Sequence, residues 1–378
     1  MIIKNCKIIF QDKIENGEVL IKDGKIEKIN PKDFHNDEEM IDGEGCYLSP
    51  GFIDVHIHGA GGCDTMDGTV ESINTISKVI AGYGTTSFLP TTMTCALGDI
   101  KKAVDAAAVC MKKGTVGAQV VGVHLEGPYI SPEMIGAQNP NYVEKPAIES
   151  FNYMIGNHIS AIKSITLAPE VEGAKELIEY VKDLGIVVSI GHSKATYRET
   201  MEGIKWGIGH STHLYNAMTP LTHREPGIVG AIFDTDITTE TISDGIHITY
   251  PSLRIAYKQK GFDRVLLVTD AMMACGMPEG KYSLGGQDVF VKEGAARLKE
   301  GNLAGSILTL DKAIRNVYKN NNYALYDIVK MATYNGAKHC GIEDRKGLIK
   351  EGYDADLILF DEDITIKRVI IGGKVFKG

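Results

Sequence analysis

Paired cysteines, long apolar runs and blocks of like charge are all missing from this sequence of 378 residues. Its seven cysteines are scattered, odd in number and form no C-x-x-C pair, which argues for reduced thiols rather than a disulfide framework. No window is apolar for long enough to span a membrane. Lys4, Asn5 and Lys7 interrupt the isoleucines at the start, where a secretory signal would be continuously apolar. We therefore expect a cytoplasmic protein that does not interact with a membrane.

The balance of charged residues argues against nucleic acid as a partner. The chain has 49 acidic and 40 basic residues, a net charge of −9, and its basic residues form no run that could serve as a nucleic-acid arm. Nucleic acid is therefore not an expected partner.

The sequence does contain two distinct hydrophobic patterns. Short β-rich runs separated by turn signals fill residues 1–50 and return in residues 347–378, so we expect the two ends to pair into one small β-sandwich domain. Between them, residues 51–346 alternate apolar runs with helical periodicity, which is typical of repeated βα units around a parallel sheet. The chain is long enough for one barrel of about 250 residues and a smaller second domain. We predict an α/β fold in which a (β/α)8 TIM barrel is flanked by a terminal β-sandwich.

Eight apolar runs are the candidate barrel strands, and the seventh is weak because short apolar runs fit a strand or a helix. They cover residues 52–56, 85–89, 119–125, 163–168, 186–190, 207–214, 240–243 and 264–269. The expected helices include 69–81, 100–112, 174–184, 197–206 and 253–260. A β-rich stretch at 281–303 is predicted to be an insertion after the eighth strand, and 311–341 is predicted to supply closing helices.

Polar side chains that suit a metal ion end several of these strands. In a TIM barrel the active site lies at the C-terminal ends of the strands, so these side chains should converge on one rim. Imidazole and carboxylate ligands suit a divalent ion of the zinc or iron type. The candidate metal ligands are His56, His58, Glu126, His192, His213 and Asp270.

Taken alone, each of these signals has a structural interpretation that stays open. The H-x-H pair could be structural, Glu126 could accept backbone N–H groups in a turn, and His192 could simply precede a helix. Asp270 is costly to bury at the end of an apolar strand unless it is paired, and the convergence of several strand ends favours a metal site.

Other polar residues are expected around the ligands or away from them. Asp54 and His124 are predicted to lie behind the ligands, with Asp54 holding an imidazole. His210 is predicted to point to the face opposite His213, and to be either a structural histidine or one that supports the ligands from behind. The histidines that are not ligand candidates are His35, His158 and His339, the last expected to place a cation at a helix end.

The segment PGFIDVHIH at 50–58 resembles the opening signature of the amidohydrolase superfamily. Later motifs resemble the N-acetylglucosamine-6-phosphate deacetylase family within it: HLEGP at 124–128, LAPE at 167–170, GHS at 191–193, THLYNAM at 212–218, REPG at 224–227, DGIH at 244–247, VTD at 268–270 and LAGS at 303–306. The resemblance implies hydrolysis of N-acetylglucosamine 6-phosphate to acetate and glucosamine 6-phosphate, in amino-sugar catabolism. A related N-acetylhexosamine phosphate is the alternative substrate.

The resemblance also implies roles for individual residues. Glu126, His192 and His213 would hold the main metal, and Asp270 would transfer protons between the attacking water and the departing amine. Arg224 and His247 offer the charge and donors that a phosphate needs. The implied substrate contacts are Ala137, Gln138, Asn216, Ala217, Arg224, Asp244, His247, Leu303, Ala304 and Gly305. The family is usually dimeric, which would let the Arg224 loop reach a neighbouring site.

Two features vary within the family. Some members lack the H-x-H pair, whereas this sequence keeps it, so a second metal ion could bind with Glu126 as the bridging ligand. Other members place a histidine in segment 136–139; here Gln138 offers an amide donor to the developing oxyanion.

Two rival interpretations remain. Hydantoinase-like and dihydroorotase-like enzymes bridge their metals with a carboxylated lysine at the end of strand four, where this chain has APE at 168–170. Non-catalytic relatives have lost metal ligands, whereas every expected ligand is present here.

Overall fold

Within residues 1–32 and 39–377, which the computed structural model describes, strands and helices alternate through most of the chain. His35 lies outside the described residues. The strands are β1 Ile2–Ile9, β2 Ile14–Lys22, β3 Lys25–Ile29, β4 Met40–Asp42, β5 Tyr47–Pro50, β6 Phe52–Ile57, β7 Gly59–Ala60, β8 Cys63–Asp64, β9 Thr85–Pro90, β10 Gln119–Val120, β11 Val123–Glu126, β12 Ile162–Leu167, β13 Val187–Ile190, β14 Ile208–Ser211, β15 Thr238–Ile242, β16 Val265–Val268, β17 Gly280–Leu284, β18 Gln287–Lys292, β19 Ala295–Leu298, β20 Leu357–Phe360, β21 Ile366–Ile371 and β22 Lys374–Lys377.

The α-helices are α1 Val70–Ala81, α2 Leu97–Lys113, α3 Ile148–Ile155, α4 Ala174–Asp183, α5 Tyr197–Trp206, α6 Gly227–Asp234, α7 Tyr250–Lys260, α8 Leu310–Asn320, α9 Leu325–Ala332 and α10 Tyr334–Cys340. Short 3-10 helices cover Thr65–Asp67, Pro140–Tyr142 and Ile159–Ala161. None of the helices in the described part of the chain combines the length and the apolar character that crossing a membrane requires.

The central strands form a closed parallel barrel. Strands β6, β9 and β10 pair in one sheet, and β11 to β16 pair in succession in another. Parallel bridges between Thr91 and His124, and between Ile57 and Ala271, join the two sheets on both sides. The predicted TIM barrel is therefore confirmed. Its third strand, predicted at 119–125, forms as two pieces, although the Val121 N–H still donates to the Phe88 carbonyl at 3.1 Å.

Local sequence explains which helices could be predicted. Helix α5 has the predicted bounds because Thr196 and Glu199 form a capping box at its start and Gly207 follows its end at a φ of 144°. Helices α3 and α6 were not predicted. Both are eight residues long, α3 begins after Ala147 without a side-chain cap, and α6 is buried and apolar, which leaves little amphipathic periodicity to detect.

Both ends of the chain enter one sheet. Strands β22, β21, β20, β5, β1, β2 and β3 are neighbours in that order, and β4 also pairs with β1. The link between the two ends is the antiparallel pairing of β20 with β5. These eight strands share one hydrogen-bonded sheet over a core that includes Ile8, Val19, Leu48, Leu357 and Ile370, so both ends of the chain contribute to the small β structure that was predicted.

The predicted insertion is a three-stranded antiparallel sheet, β17–β19, that follows the last barrel strand. Leu284, Val289 and Leu298 of this insertion pack with Met93 and Met272 of the barrel rim in one hydrophobic cluster. The insertion is therefore anchored beside the C-terminal ends of the strands, where the candidate ligands lie.

Candidate active site

Glu126 lies at the centre of a buried group of imidazoles. Its Oε1 is 3.1 Å from His213 Nε2 and 3.3 Å from His192 Nε2, whereas its Oε2 is 3.3 Å from His58 Nε2. His56 Nε2 is 3.5 Å from Oε1. Oε1 thus faces three imidazoles and Oε2 faces His58, so the carboxylate lies between the H-x-H pair and the other two histidines, where a shared metal ligand would be expected.

Asp270 completes the group on the side of the H-x-H pair. Its Oδ1 lies 3.2 Å from His58 Nε2 and 3.5 Å from His56 Nε2. The structure thus brings together all six candidate ligands, although whether each binds a metal stays a prediction.

Three of the four imidazoles are oriented by an acceptor at Nδ1, which leaves Nε2 directed at the centre. The contacts are His56 to Glu240 Oε2 at 2.8 Å, His58 to the Thr91 carbonyl at 3.2 Å and His192 to the Met134 carbonyl at 3.0 Å. Such contacts fix the tautomer of a metal-binding histidine. His213 Nδ1 has no hydrogen-bond partner among the described residues, and this ring is instead held through its backbone N–H, which donates to Glu240 Oε2 at 3.0 Å.

The backbone is left-handed at three of the candidate ligands. His192, His213 and Asp270 have φ values of 48°, 30° and 48°. Such values cost roughly 1 kcal/mol or more in a residue other than glycine and persist only where the surroundings enforce them. Asp270 is held on both sides, because its N–H donates to the His56 carbonyl at 2.9 Å and its own carbonyl accepts the Ser306 N–H at 2.7 Å. The left-handed backbone at these three residues thereby directs their side chains into the centre.

Electrostatics in the centre favour imidazolium–carboxylate pairs when metal is absent. Burial alone would lower the pKa of His56, but Glu240, Glu126 and Asp270 outweigh it and raise the pKa to about 9. Burial would likewise lower the pKa of His58, yet its contacts with Asp270 and Glu126 raise it well above its ordinary value. Burial would raise the pKa of Glu126, but His56, His192 and His213 hold it well below its usual range. A metal ion would therefore replace protons as the positive charge here.

The donor set fits a divalent metal. Three groups of three donor atoms lie within 4.8 Å of one another among the described residues. Two of them share Glu126, His56 with His58 and Glu126, and Glu126 with His192 and His213, and the third joins His56 to His124 and Glu240. All are buried, and imidazole with carboxylate is the chemistry of a borderline cation.

Glu240 is the residue of the centre that the sequence did not reveal. It is 1% exposed, and besides His56 and the His213 backbone it contacts His210 Nε2 at 3.3 Å. Burial would raise the pKa of Glu240, but His56 and His210 hold it well below its usual range. The available signal was a carboxylate inside a buried parallel strand, which is costly unless paired.

The residues behind the ligands differ in part from prediction. Asp54 does not hold an imidazole; its carboxylate accepts the Thr269 hydroxyl at 2.6 Å and the His56 backbone N–H at 3.3 Å. Burial raises its pKa to about 7. His124 does lie beneath the ligands. Its ring packs edge-to-face against the ring of His56, with the ring centroids 4.8 Å apart, and burial lowers the pKa of His124 to about 3.

His210 and His213 do not lie on opposite faces of one strand as predicted, because β14 ends at Ser211 and His213 lies beyond it in a left-handed turn. The buried ring of His210 packs edge-on against the ring of His339, with the ring centroids 4.4 Å apart. Burial lowers the pKa of His339 well below its ordinary value, so this ring is neutral and the predicted helix-end cation is not there.

Most of the predicted substrate contacts line one open pocket above the centre. This pocket is lined by His58, Glu126, His192, His213 and Asp270, and by Ala137, Gln138, Asn216, Ala217, His247, Leu303 and Gly305. Gln138 is buried there; its Oε1 accepts the Thr94 N–H at 2.8 Å and its Nε2 donates to Glu126 Oε2 at 2.7 Å. One of its two amide hydrogens is thus used by Glu126, and the other remains for an acceptor in the pocket.

Three predicted contacts do not line the pocket. Arg224 is exposed on its loop. Ala304 is fully buried, and its N–H donates to the Ala296 carbonyl at 3.0 Å. Asp244 positions His247, since it accepts from His247 Nδ1 at 2.7 Å and from the His247 backbone N–H at 2.8 Å.

A barrel whose strand ends gather buried imidazoles and carboxylates under an open pocket belongs to the class of metal-dependent hydrolases. Comparison with known proteins narrows that class. The amidohydrolase family profile matches residues 47–376. An N-acetylglucosamine-6-phosphate deacetylase from Lysinibacillus sphaericus is 40% identical over 99% of this chain and 97% of the relative. An N-acetylgalactosamine-6-phosphate deacetylase from Escherichia coli O157:H7 is 34% identical over 96% of this chain and 95% of the relative.

Solved structures agree with the sequence relatives. N-acetylglucosamine-6-phosphate deacetylase from Pasteurella multocida superimposes with a TM-score of 0.94 at 31% identity, over 99% of this chain and 98% of that one. A variant of the Mycobacterium smegmatis enzyme in complex with N-acetyl-D-glucosamine-6-phosphate gives a TM-score of 0.94 at 28% identity, over 100% and 99% of the two chains. The chain belongs to the amidohydrolase family and, within it, to the N-acetylglucosamine-6-phosphate deacetylase group.

Proposed function

We propose that this protein hydrolyses the N-acetyl group of N-acetylglucosamine 6-phosphate, giving acetate and glucosamine 6-phosphate. The observation that carries the proposal is the buried centre of Glu126, four imidazoles and Asp270 beneath an open pocket. Relatives similar over the whole chain carry the same activity in their names, and one solved relative is a complex with this sugar phosphate. The reaction suits a place in amino-sugar catabolism.

A second candidate substrate is the galactosamine epimer. A relative named N-acetylgalactosamine-6-phosphate deacetylase is 34% identical over nearly the whole chain, within the range of 32% to 40% given by relatives named N-acetylglucosamine-6-phosphate deacetylase. Parallel kinetics on the two epimers decide between them.

In the proposed mechanism, Glu126, His192 and His213 would hold the main divalent ion, zinc or iron, and His56 and His58, together with Glu126, would hold a second. When bound, such an ion lowers the pKa of water and polarises the amide carbonyl. Asp270 takes a proton from the attacking water and returns it to the departing amine. Burial would raise the pKa of Asp270, but His56 and His58 lower it below its ordinary value, which keeps it ionised as a base must be.

Gln138 is proposed to donate its second amide hydrogen to the acyl oxygen as negative charge develops there. Its carboxamide is held at both ends, by Thr94 and Glu126, so this donor is already oriented before substrate binds. A neutral amide has no positive charge, unlike an imidazolium. Gln138 is therefore proposed to stabilise the acyl oxygen through a hydrogen bond whose donor is already oriented.

The phosphate is proposed to bind His247 and Asn216 of one subunit and Arg224 of the partner subunit in a homodimer. Arg224 is exposed and does not line the pocket of its own chain. Beside its loop, Leu221 and Ile255 are 54% and 59% exposed, an apolar surface that a second copy would cover.

Two further properties are proposed. The protein acts in the cytoplasm, consistent with its free cysteines. Residues 1–50 and 347–378 form one domain, and residues 51–346 form the hydrolase barrel.

The test is kinetics of acetate release from N-acetylglucosamine with and without the 6-phosphate, in the wild-type protein and in Arg224→Ala, together with the oligomeric state in solution. Arg224→Ala is expected to raise KM for the phosphorylated substrate alone. Equal losses on both substrates would rule out a phosphate contact at Arg224, and no acetate release from any N-acetylhexosamine phosphate would overturn the proposed function.

A further inference from the structure

The pocket has an apolar side that neither the sequence motifs nor the proposed mechanism uses. Met93 follows barrel strand β9 and Leu284 ends β17 of the insertion, and both line the pocket although each is only 2% exposed. We propose that Met93 and Leu284 form an acyl wall, a surface against which the methyl group of the substrate packs and which limits the enzyme to a two-carbon acyl group. The inference rests on the proposed function and assigns its specificity.

Contacts between three segments fix the acyl wall in place. The Thr94 N–H, next to Met93, holds Gln138 Oε1 at 2.8 Å. Gln287 of the insertion donates from Nε2 to the Ala137 carbonyl at 2.7 Å, which ties the insertion to the same segment. A side-chain carbon added at Gly285 would lie 3.3 Å from Met93 Cε, so the turn after Leu284 sits directly against the methionine.

The orientation of the substrate's amide group follows from which residues are proposed to bind its carbonyl oxygen and its phosphate. Gln138, beside Met93, reaches Glu126 at 2.7 Å, whereas the imidazole proposed for the phosphate, His247, comes from the loop after β15. A secondary amide is planar and trans, so its acyl carbon chain and its sugar lie at opposite ends of the C–N bond. With the carbonyl over Glu126 and the phosphate at His247, the methyl group points toward Met93 and Leu284.

The packing behind Met93 and Leu284 determines how strongly the acyl wall discriminates against acyl groups longer than acetyl. Both side chains belong to a buried cluster with Met272, Val289 and Leu298, so they have dense support from behind. One added methylene in a hydrophobic pocket changes kcat/KM by roughly 10- to 200-fold. The wild-type protein should therefore hydrolyse N-acetylglucosamine 6-phosphate at least about tenfold more efficiently than its N-propanoyl analogue.

The experiment measures kcat/KM for the N-acetyl and N-propanoyl substrates in wild type, Met93→Ala and Leu284→Ala. The matched control is Leu298→Ala, which removes the same atoms from the same insertion and cluster but does not line the pocket. Leu284→Val, a smaller truncation, serves if the alanine variants do not fold.

Truncation of the acyl wall is expected to move the propanoyl-to-acetyl ratio of kcat/KM toward the longer chain by about tenfold, with the control unchanged. A ratio that stays constant in all variants, or that moves as far in Leu298→Ala as in Leu284→Ala, overturns the inference. Absence of acetate release by the wild-type protein would instead refute the proposed function, so the two failures are distinguishable.

Discussion

Replacement of Glu240 by glutamine tests whether a buried carboxylate outside the ligand set controls metal binding. Glu240 Oε2 accepts from His56 Nδ1 at 2.8 Å and from the His213 N–H at 3.0 Å, so one oxygen supports a ligand of each proposed metal position. Glutamine has nearly the same shape and can keep one acceptor there, but it has no charge. The substitution therefore removes the charge while disturbing the packing little.

The expected loss follows from the two hydrogen bonds. A bond to a charged group contributes about 1.5–3 kcal/mol and a neutral one about 0.5–1.5 kcal/mol, so each bond loses about 1 kcal/mol. A total of about 2 kcal/mol corresponds to roughly a 30-fold weaker metal affinity. This lies within the 10–100-fold range typical of residues that orient metal ligands.

Protonation of His56 should make the loss of metal affinity in Glu240→Gln smaller at pH 7. Glu240 helps raise the pKa of His56 to about 9, so at pH 7 the carboxylate also favours the proton that a metal must displace. Above the pKa of about 9 that proton is already gone, and the loss of affinity in Glu240→Gln should be larger there than at pH 7.

The assay is competition with a chelator of known affinity at both pH values, with metal content measured independently. Asp311→Asn is the control, because Asp311 is also a buried carboxylate but pairs with Arg315 in α8, outside the centre. An affinity of Glu240→Gln within twofold of wild type at both pH values would refute the reasoning.

Three further substitutions address separate steps of the argument. Asp270→Asn should lower kcat about 100- to 10,000-fold at saturating metal, and near-normal turnover with metal bound would contradict its proton-transfer role. Asp244→Asn should raise KM for the phosphorylated substrate about tenfold with little change in kcat, since the charge that holds His247 is lost; an unchanged KM would contradict this. Lys346→Ala should lower the free energy of unfolding by about 3–5 kcal/mol in urea titration, because it leaves the buried carboxylate of Asp356 without its cationic partner. Lys367→Ala, at an exposed pair, should cost less than about 1 kcal/mol, and equal losses in the two lysine variants would contradict the assignment.

The residues of the centre that could be predicted from the sequence are those marked by a pattern of neighbouring residues. His56 and His58 lie at the C-terminal end of an apolar run that was predicted to be a strand, and the active site of a TIM barrel lies at such strand ends. The structure brings both within 3.5 Å of Asp270, more than 200 positions later in the chain. Strand number and strand-end chemistry sufficed for that prediction.

What sequence missed depends on contacts between distant segments. Glu240 lies in the weakest predicted strand, and its role appears only when β15 stands beside β14 and across from His56. The charge state of His339 could not be predicted either, because burial against His210, rather than its position at a helix end, sets its pKa. Met93 and Leu284 carried no motif at all, since apolar residues are recognisable as pocket walls only from the shape of the pocket.

The number of metal ions in the working enzyme can be obtained from the protons that the ions displace. In the metal-free centre His56 and His58 both have a raised pKa, and their positive charges offset Glu126 and Asp270. Because both raised pKa values favour protonated imidazoles at pH 7, an ion that binds the H-x-H pair must displace protons there. Calorimetric titration in two buffers of different ionisation enthalpy counts these protons. Binding of a second equivalent with release of protons at pH 7, and of fewer protons at pH 10, is the expected result. If only one equivalent binds, or a second binds without proton release, the H-x-H pair is not a metal site in this protein.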